Sequence, residues 1–435
     1  MVGPYRVLVV DDSAFMRTII SDLILQDDQF IIAATAANGV EAVSAAAELK
    51  PDVITMDLEM PMMNGIEALQ LIMKSTPTPV IMLSGISEDN TRDTIKALQY
   101  GAFDFIRKPS SAMSSDIHQV GEQLLEKLKV AVFAKRSRKS PPVPETRSQE
   151  AARIEQPAPP LRKPQAPKIE EPKKQAKTPL HTVKKSEAER TDPTAERKRP
   201  KEKEPAAPAR KMTEKSSSVS RPIKDAGLLN QKSSDKNRPA GSTSFKHIVA
   251  IGTSTGGPRA LHEVICSLPE GFPAPVLVVQ HMPPKFTRSL AQRLDSFSSL
   301  KVVEAEANMR VAAGTVYIAP GGYHMELAKD SAGYAIHLSD QPQRNGHRPS
   351  VDVLFESIAN YRELQRHAVI MTGMGSDGAK GMKVLAEQGD VTTIAEAEET
   401  CIVYGMPRCA VEMGAAGTVL PLQAIASKLE GAVST

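Results

Sequence analysis

Acidic side chains and a lysine follow short apolar runs in the first third of the chain. The polar residues at the ends of these runs are Asp11, Asp12, Asp57, Ser84 and Lys108. Clustered carboxylates repel one another unless a hard cation with oxygen ligands, such as Mg²⁺, neutralises them. A carboxylate can also attack a phosphoryl group, with a metal ion and a lysine ammonium stabilising the transferred oxygens. Taken singly, Asp12 could instead cap a helix, and Asp57 and Lys108 could be solvated loop charges.

A second group of reactive residues begins at a glycine-rich stretch, residues 247–258, which passes from an apolar run into a helical pattern. Gly252, Gly256 and Gly257 permit a tight turn, and Pro258 suits the first turn of a helix. Ser254 is expected to be exposed at this turn. The spacing matches the nucleophile elbow of hydrolases, but the same turn could hold a phosphate at the helix N-terminus.

A serine nucleophile needs a base, and the base needs a partner that sets its tautomer. His281 follows an apolar run at residues 276–280, and Asp377 follows another at residues 368–372. The order Ser, His, Asp differs from the Ser, Asp, His order of α/β-hydrolases, which argues against that fold. His324, His337 and His347 are competing bases, and Asp377 could be a turn or capping residue.

The elements that must position these groups alternate between strands and helices. The region before residue 135 predicts five short strands and five helices, which indicates a parallel sheet covered on both faces. After residue 244 a further seven strands and five helices are predicted, together with a possible hairpin near residues 325–337 that could make the second sheet only mainly parallel. The fold class is therefore α/β, with two doubly wound domains.

The 435-residue chain is too long for a single hydrophobic core, and its composition changes sharply in the middle. Residues 135–240 contain 28 Lys and Arg, 14 Asp and Glu, 16 of the 33 prolines and no aromatic residue. Such a stretch cannot bury enough apolar surface to fold. We predict a first domain at residues 1–134, a long disordered basic linker at 135–244 and a second domain at 245–435.

The basic linker and the cysteine content bear on partners and compartment. Its positive charges suit phosphate contacts, but no aromatic residue is present to stack on bases, so nucleic acid is not an expected partner. Three cysteines, none in a Cys-x-x-Cys pair, fit a reducing compartment. With no apolar run near 20 residues and no signal-peptide pattern, we predict a cytoplasmic protein.

The first domain resembles the receiver domain of two-component response regulators. The resemblance rests on Asp11-Asp12, the stretch Met-Asp-Leu-Glu-Met-Pro around Asp57, Leu-Ser-Gly at Ser84, and Lys108-Pro109. It implies a flavodoxin-like strand order 2-1-3-4-5 and Asp57 as the phosphoacceptor. It also implies Mg²⁺ held near Asp11 by Asp12, Asp57 and the backbone carbonyl of Glu59, phosphoryl contacts from Ser84 and Lys108, and Phe105 as the aromatic switch.

The second domain resembles the catalytic domain of the chemotaxis protein-glutamate methylesterases. The matching motifs include Ile-Gly-x-Ser-Thr-Gly-Gly, Gln-His-Met-Pro-Pro, His-Arg-Pro-Ser-Val-Asp, Thr-Gly-Met-Gly-x-Asp-Gly and Tyr-Gly-Met-Pro. The resemblance implies that Ser254 is the nucleophile, His281 the base and Asp377 the orienting acid. It places the backbone N–H of Met374 in the oxyanion hole and Thr255 beside the nucleophile, with no cofactor in this domain.

Together the two resemblances imply a phosphorylation-regulated esterase that hydrolyses glutamate γ-methyl esters on methyl-accepting chemoreceptors and also deamidates glutamines. A chemotaxis histidine kinase is the implied phosphodonor, and membranes are approached only through the receptors. The unphosphorylated receiver is expected to cover the esterase cleft, less firmly than in relatives with short linkers. The competing interpretation is a response regulator whose output domain binds a phosphate-containing ligand without catalysis.

Overall fold

The computed structural model describes residues 3–109, 114–139 and 242–434. The predicted disordered linker, residues 135–244, lies outside the described residues except at its two ends, so its character stays a prediction. Within the described part of the chain, no helix combines the length and apolar character needed to cross a bilayer.

The first domain is built on a five-stranded sheet in which every paired strand runs parallel to its neighbour. Its strands are β1 (Tyr5–Val10), β2 (Phe30–Ala36), β3 (Val53–Asp57), β4 (Val80–Ser84) and β5 (Asp104–Arg107). Their order is β2-β1-β3-β4-β5, which confirms the expected flavodoxin-like arrangement. Both faces of β3 and β4 are buried, as continuous apolar runs predict for a sheet covered by helices on both sides.

In the described residues of this domain, five helices connect and cover these strands. They are α1 (Ala14–Ile24), α2 (Gly39–Leu49), α3 (Gly65–Ser75), α4 (Glu88–Gln99) and α5 (Ser114–Lys139). Short polar side chains start most of them: Ser13, not Asp12, caps α1 by accepting the Met16 N–H at 3.3 Å. Asp12 is therefore not needed as a cap and stays available for other chemistry.

The second domain contains a seven-stranded sheet in which all neighbouring strands are parallel. Its strands are β6 (His247–Thr253), β7 (Val276–Gln280), β8 (Lys301–Glu304), β9 (Thr315–Ile318), β12 (Gln365–Ile370), β13 (Val391–Glu396) and β14 (Thr418–Leu420), in the order β14-β13-β12-β6-β7-β9-β8. The first strand, β6, lies near the middle, with β7 on one side and β12 on the other. Loops that leave β6, β7 and β12 therefore meet at one edge of the sheet, where open α/β sheets bind ligands.

The hairpin expected in this domain forms a sheet of its own. Strands β10 (His324–Asp330) and β11 (Gly333–Ser339) pair antiparallel and join no strand of the large sheet. The expectation that this hairpin could make the second sheet only mainly parallel was therefore wrong. The hairpin packs against the helix at Val351–Ala359, because its inward side chains are apolar and buried.

Six helices within residues 242–434 complete the second domain. They are α6 (Gly257–Cys266), α7 (Phe286–Phe297), α8 (Val351–Ala359), α9 (Ala379–Ala386), α10 (Met406–Glu412) and α11 (Leu422–Val433). The sequence did not predict α10, a seven-residue helix with a proline in its first turn, because it is too short to show a helical period. The central strands β6, β7, β9 and β12 are buried along almost their whole length, whereas the edge strand β14 is partly exposed.

Candidate functional site

The acidic residues of the first domain meet at the carboxyl ends of β1 and β3. One oxygen from each of Asp11, Asp12 and Asp57 lies within 4.8 Å of the others. The Lys108 ammonium lies 2.8 Å from Asp11 Oδ2 and 2.8 Å from Asp57 Oδ2. This set of convergent carboxylate oxygens fits a hard divalent cation such as Mg²⁺.

The electrostatics of this acidic cluster are set by burial and by like charge. Burial, and to a smaller degree the Asp11 carboxylate, raises the pKa of Asp57 to about 6, against the lowering effect of Lys108. Burial alone would lower the pKa of Lys108, but its hydrogen bonds to Asp11 and Asp57 outweigh that and raise it. The cluster thus carries more negative charge than one ammonium compensates, which is the condition that a bound divalent cation relieves.

The other residues predicted for the first domain lie around this cluster. Glu59 is exposed after β3 and lines the same surface cavity as Asp12, so the role of its backbone carbonyl as a metal ligand stays a prediction. Ser84 ends β4, where its hydroxyl donates to the Gly85 carbonyl at 2.9 Å and accepts from Thr94 Oγ1 at 2.6 Å. The Ser84 hydroxyl is therefore engaged locally rather than free.

Ser254 lies in the turn between β6 and α6. Its N–H donates to the Thr372 carbonyl at 3.0 Å, which ties the turn to the end of β12. Gly256 has φ +82°, and a Cβ at this position would lie 2.6 Å from Cβ of Ile402. Only glycine allows both the positive φ and the close approach of Ile402. The resulting tight turn holds Ser254 half-buried at the edge of the sheet.

His281 lies at the end of β7, next to the serine turn. Its backbone N–H donates to the Thr253 carbonyl at 3.1 Å. Its Nε2 lies 2.8 Å from Asp377 Oδ2, which assigns the ring proton to Nε2. Nδ1 is buried and makes no hydrogen bond in the part of the chain that the structure describes. Ser254 Oγ and the ring are not hydrogen-bonded to each other, although both residues line one cavity.

Asp377 is buried in the turn between β12 and α9, where several donors surround its carboxylate. Oδ1 accepts from Asn345 Nδ2 and Ser350 Oγ, both at 2.8 Å, and Oδ2 accepts from the Val351 N–H at 2.6 Å. Burial is the largest influence on the pKa of Asp377 and raises it. The hydrogen bonds from His281, Val351 and Asn345 outweigh burial and hold that pKa well below its usual range. The group therefore stays an anion that orients the imidazole.

The competing histidines lie in different surroundings. The ring of His347 stacks on that of His281, with centroids 3.7 Å apart and planes 10° apart. Burial and the neighbouring His281 lower the pKa of His347 to about 4, so it is neutral. His324 is buried with Nε2 3.1 Å from the Pro342 carbonyl, and His337 is exposed on the hairpin. Of the four, His281 is the one whose ring contacts a buried carboxylate.

The loop after β12 brings backbone N–H groups close to the serine. A Cβ on Gly373 would lie 2.8 Å from Ser254 Cβ, so only glycine allows this approach. Met374 lines the same cavity as Ser254, and its N–H donates no hydrogen bond within the described residues. An unengaged N–H close to a serine hydroxyl is suited to an oxyanion hole, so the predicted roles of Ser254 and Met374 remain compatible with the structure.

The chain matches known protein families in both of its domains. The family model for the response regulator receiver domain matches residues 7–119, and that for CheB methylesterase matches residues 249–429. A protein-glutamate methylesterase/protein-glutamine glutaminase of Geobacillus kaustophilus is 39% identical over 98% of this chain and 97% of its own length. The chain belongs to this methylesterase family. Relatives of the same name in Bacillus subtilis and Thermotoga maritima are 38% and 39% identical, each over 98% of this chain and 98% and 97% of their own lengths.

Among solved structures, the catalytic domain of Thermotoga maritima CheB methylesterase is 48% identical. It covers 43% of this chain and 98% of its own, with a TM-score of 0.42.

The receiver packs directly over the serine turn of the methylesterase domain. Asp104 Oδ2 accepts a hydrogen bond from Thr255 Oγ1 at 2.5 Å and lies 2.6 Å from Lys127 Nζ. Phe105, the predicted switch residue, is buried with its ring 4.6 Å from that of Phe286 on α7. The predicted switch residue therefore lies in the contact between the two domains. The sequence led us to expect that the receiver covers the cleft, but not that Phe105 takes part in the contact.

Further contacts join α4 of the receiver to α7 of the methylesterase domain. Thr91 Oγ1 lies 2.7 Å from Ser289 Oγ, and Arg293 Nε donates to Gln99 Oε1 at 2.8 Å. Residues of both domains line the cavity of about 500 Å³ that contains Ser254 and His281. In this arrangement the receiver forms one wall of that cavity.

Sequence reasoning missed the residues that support Asp377. Asn345 and Ser350 contact its Oδ1, and the Asp352 carboxylate accepts from the Gly378 N–H of the same turn and from the Gly381 N–H in the first turn of α9. The signal that marks this region is the motif His-Arg-Pro-Ser-Val-Asp, which contributed to the resemblance without any assigned role. Two of its polar residues, Ser350 and Asp352, hold Asp377 and its turn in place.

Proposed function

We propose that this chain is a phosphorylation-regulated chemotaxis esterase that hydrolyses glutamate γ-methyl esters on chemoreceptors to glutamate and methanol. Membership of the protein-glutamate methylesterase/protein-glutamine glutaminase family supports this function. The observation that carries it is the His281 ring, held by Asp377 at 2.8 Å beside the Ser254 turn in a cleft that both domains line.

In the proposed reaction, Ser254 Oγ attacks the ester carbonyl while His281 Nδ1 accepts the hydroxyl proton. Asp377 keeps the other ring proton on Nε2 and stabilises the imidazolium. Relative to the usual serine hydrolase, the two ring nitrogens exchange roles, because here Nε2 faces the carboxylate. The Met374 N–H stabilises the tetrahedral oxyanion, a contribution whose loss typically costs about 100- to 1,000-fold in rate.

Methanol leaves after methoxide takes the proton from His281. Water then attacks the acyl-serine, with His281 accepting one of its protons and returning it to Ser254 Oγ. The products are a receptor glutamate and the free enzyme. Glutamine side chains follow the same steps with ammonia as the leaving group, which accounts for the second activity in the family name.

In the receiver, Asp57 is proposed to accept a phosphoryl group from a chemotaxis histidine kinase. Asp11, Asp12 and Asp57 would hold Mg²⁺, which when bound neutralises charge on the phosphoryl oxygens. Lys108 contacts Asp57 directly and is positioned to bind a phosphoryl oxygen there. The Ser84 hydroxyl must turn away from Gly85 to do the same, a step that rotation about its Cα–Cβ bond allows.

Phosphorylation is proposed to open the cleft. The Asp104–Thr255 hydrogen bond and the Phe105–Phe286 contact hold the receiver over the nucleophile turn. Phe105 is in β5, the strand that leads to Lys108 beside Asp57. A changed position of Phe105 would weaken these contacts and admit a receptor helix. If Asp57→Asn and a phosphodonor both leave the rate of the full chain unchanged, this regulation is wrong.

The test of the esterase function is methanol release from methylated receptor, measured for the full chain and for Ser254→Ala, with and without a small-molecule phosphodonor. We expect release by the unmodified protein and none above background by Ser254→Ala. The competing function, a phosphate-binding output domain, would show no methanol release in either protein and saturable phosphate binding in both.

A further inference from the structure

One guanidinium in the catalytic cleft has two donors that the protein does not use. Arg348 follows His347, whose ring stacks on the catalytic imidazole, and it lines the same cavity as Ser254 and His281. Among the described residues of the methylesterase domain that line this cavity, Arg348 is the only Lys, Arg, Asp or Glu. It therefore supplies the permanent charge of that wall.

Arg348 is anchored by one end of its guanidinium. Nη1 donates to the carbonyls of Asp340 at 2.5 Å and Gln341 at 2.8 Å, and its own carbonyl accepts the Gly322 N–H at 3.0 Å. Nε is buried without a hydrogen-bond partner, and Nη2 donates to no residue in the described part of the chain. The side chain is thus held in place while two adjacent donors stay unpaired.

The pair Nε and Nη2 forms the side of the guanidinium that binds a carboxylate through two parallel hydrogen bonds. A buried N–H without a hydrogen-bond partner costs free energy. A substrate carboxylate that binds it therefore gains more binding free energy than it would at a solvated arginine. The receiver contributes two basic residues to the cavity wall, Arg107 and Lys127, and both have partners; that of Lys127 is Asp104. The free anion-binding capacity on the methylesterase side thus belongs to Arg348.

We propose that Arg348 is a specificity-determining residue that binds a carboxylate flanking the ester on the substrate protein. This inference rests on the proposed esterase function. A glutamyl ester whose neighbours on the substrate helix are acidic would then be hydrolysed faster than one with uncharged neighbours. The contact acts mainly on KM, because it forms in the bound substrate as well as in the transition state.

The proposal is tested with helical peptides that carry a single glutamate γ-methyl ester. In one peptide the residues adjacent to the ester and one helical turn away are glutamates, and in the other they are methionines, which are uncharged and cannot be deamidated. For the full chain with a phosphodonor present, we expect kcat/KM to be about tenfold higher for the acidic peptide, because hydrogen bonds between two charged groups are stronger than those between neutral groups.

Arg348→Gln should reduce this ratio to about one, and Arg348→Lys should give an intermediate ratio, since lysine keeps the charge but lacks the fork. Arg310→Gln removes one positive charge from an exposed ion pair with Asp330 and should keep the full ratio. A loosened loop would lower the rates of both peptides equally, so the ratio separates recognition from structural damage.

An unchanged ratio in Arg348→Gln overturns the proposal, as does a ratio of one in the unmodified protein. A change confined to inhibition by the glutamate product also overturns it, because Arg348 would then bind the reacted group itself. Failure of the esterase function is distinguishable, because neither peptide would then release methanol or Ser254→Ala would release it at the full rate.

Discussion

Replacing Asp104 with alanine should raise the activity of the unphosphorylated protein. Asp104 Oδ2 accepts the Thr255 hydroxyl at 2.5 Å across the domain contact, and a hydrogen bond to a charged group is worth roughly 1.5–3 kcal/mol. We call the protein covered when the receiver packs over the Ser254 turn and uncovered when it does not. The ion pair between Asp104 and Lys127 lies within the receiver, so it contributes equally to both states and not to the free-energy difference between them.

Losing about 1.5–3 kcal/mol from the covered state alone raises the uncovered fraction by roughly 10- to 100-fold, until the protein is fully uncovered. The measured quantity is the ratio of methanol release without a phosphodonor to release with one. This ratio cancels any effect of the substitution on the chemical step. We expect it to rise at least about tenfold or to reach one.

Two further variants complete this experiment. Thr255→Val removes the donor of the same hydrogen bond and should give a similar ratio of methanol release. The double variant of Asp104→Ala and Thr255→Val should raise this ratio little further, because both substitutions remove the same contact. Gln99→Ala removes the polar contact with Arg293 at the rim and should change the ratio by no more than about threefold. Ratios for Asp104→Ala and Thr255→Val that stay within twofold of the unmodified protein would refute the reasoning.

Three other substitutions have defined outcomes. Asp377→Asn should lower kcat by about 1,000- to 10,000-fold in the methanol assay with unchanged circular dichroism, because the amide no longer stabilises the His281 imidazolium; a loss below tenfold would contradict this. Gly256→Ala should destabilise the fold by about 2 kcal/mol or more in urea unfolding, given its positive φ and the nearby Ile402; wild-type stability would show that the turn can relax. Burial lowers the pKa of His367 to about 4, so between pH 6.5 and 4 the unfolded chain binds the extra proton and stability falls as pH falls. His367→Gln should therefore lose less stability between pH 7 and 4.5 than the unmodified protein, by up to about 3 kcal/mol, and equal losses would contradict the assignment.

The site could be predicted from the sequence to the extent that it depends on strand ends. Apolar runs followed by Asp57, Ser254 or His281 predict that these residues leave a parallel sheet at its carboxyl edge, and the structure has each of them there. The glycines around Ser254 likewise indicate a tight turn. These features are local, because they follow from residue type and from the period of a strand.

Tertiary structure alone decided which groups touch. Sequence left His324, His337 and His347 beside His281 as candidate bases, and only the order β12-β6-β7 brings His281 to Asp377 while His347 becomes its stacking partner. The contact between Asp104 and Thr255 was not predictable, since it joins residues 151 positions apart in two domains. A local pattern determines how each strand ends, but pairing across a sheet or between domains depends on the packing of the whole chain, which no short segment encodes.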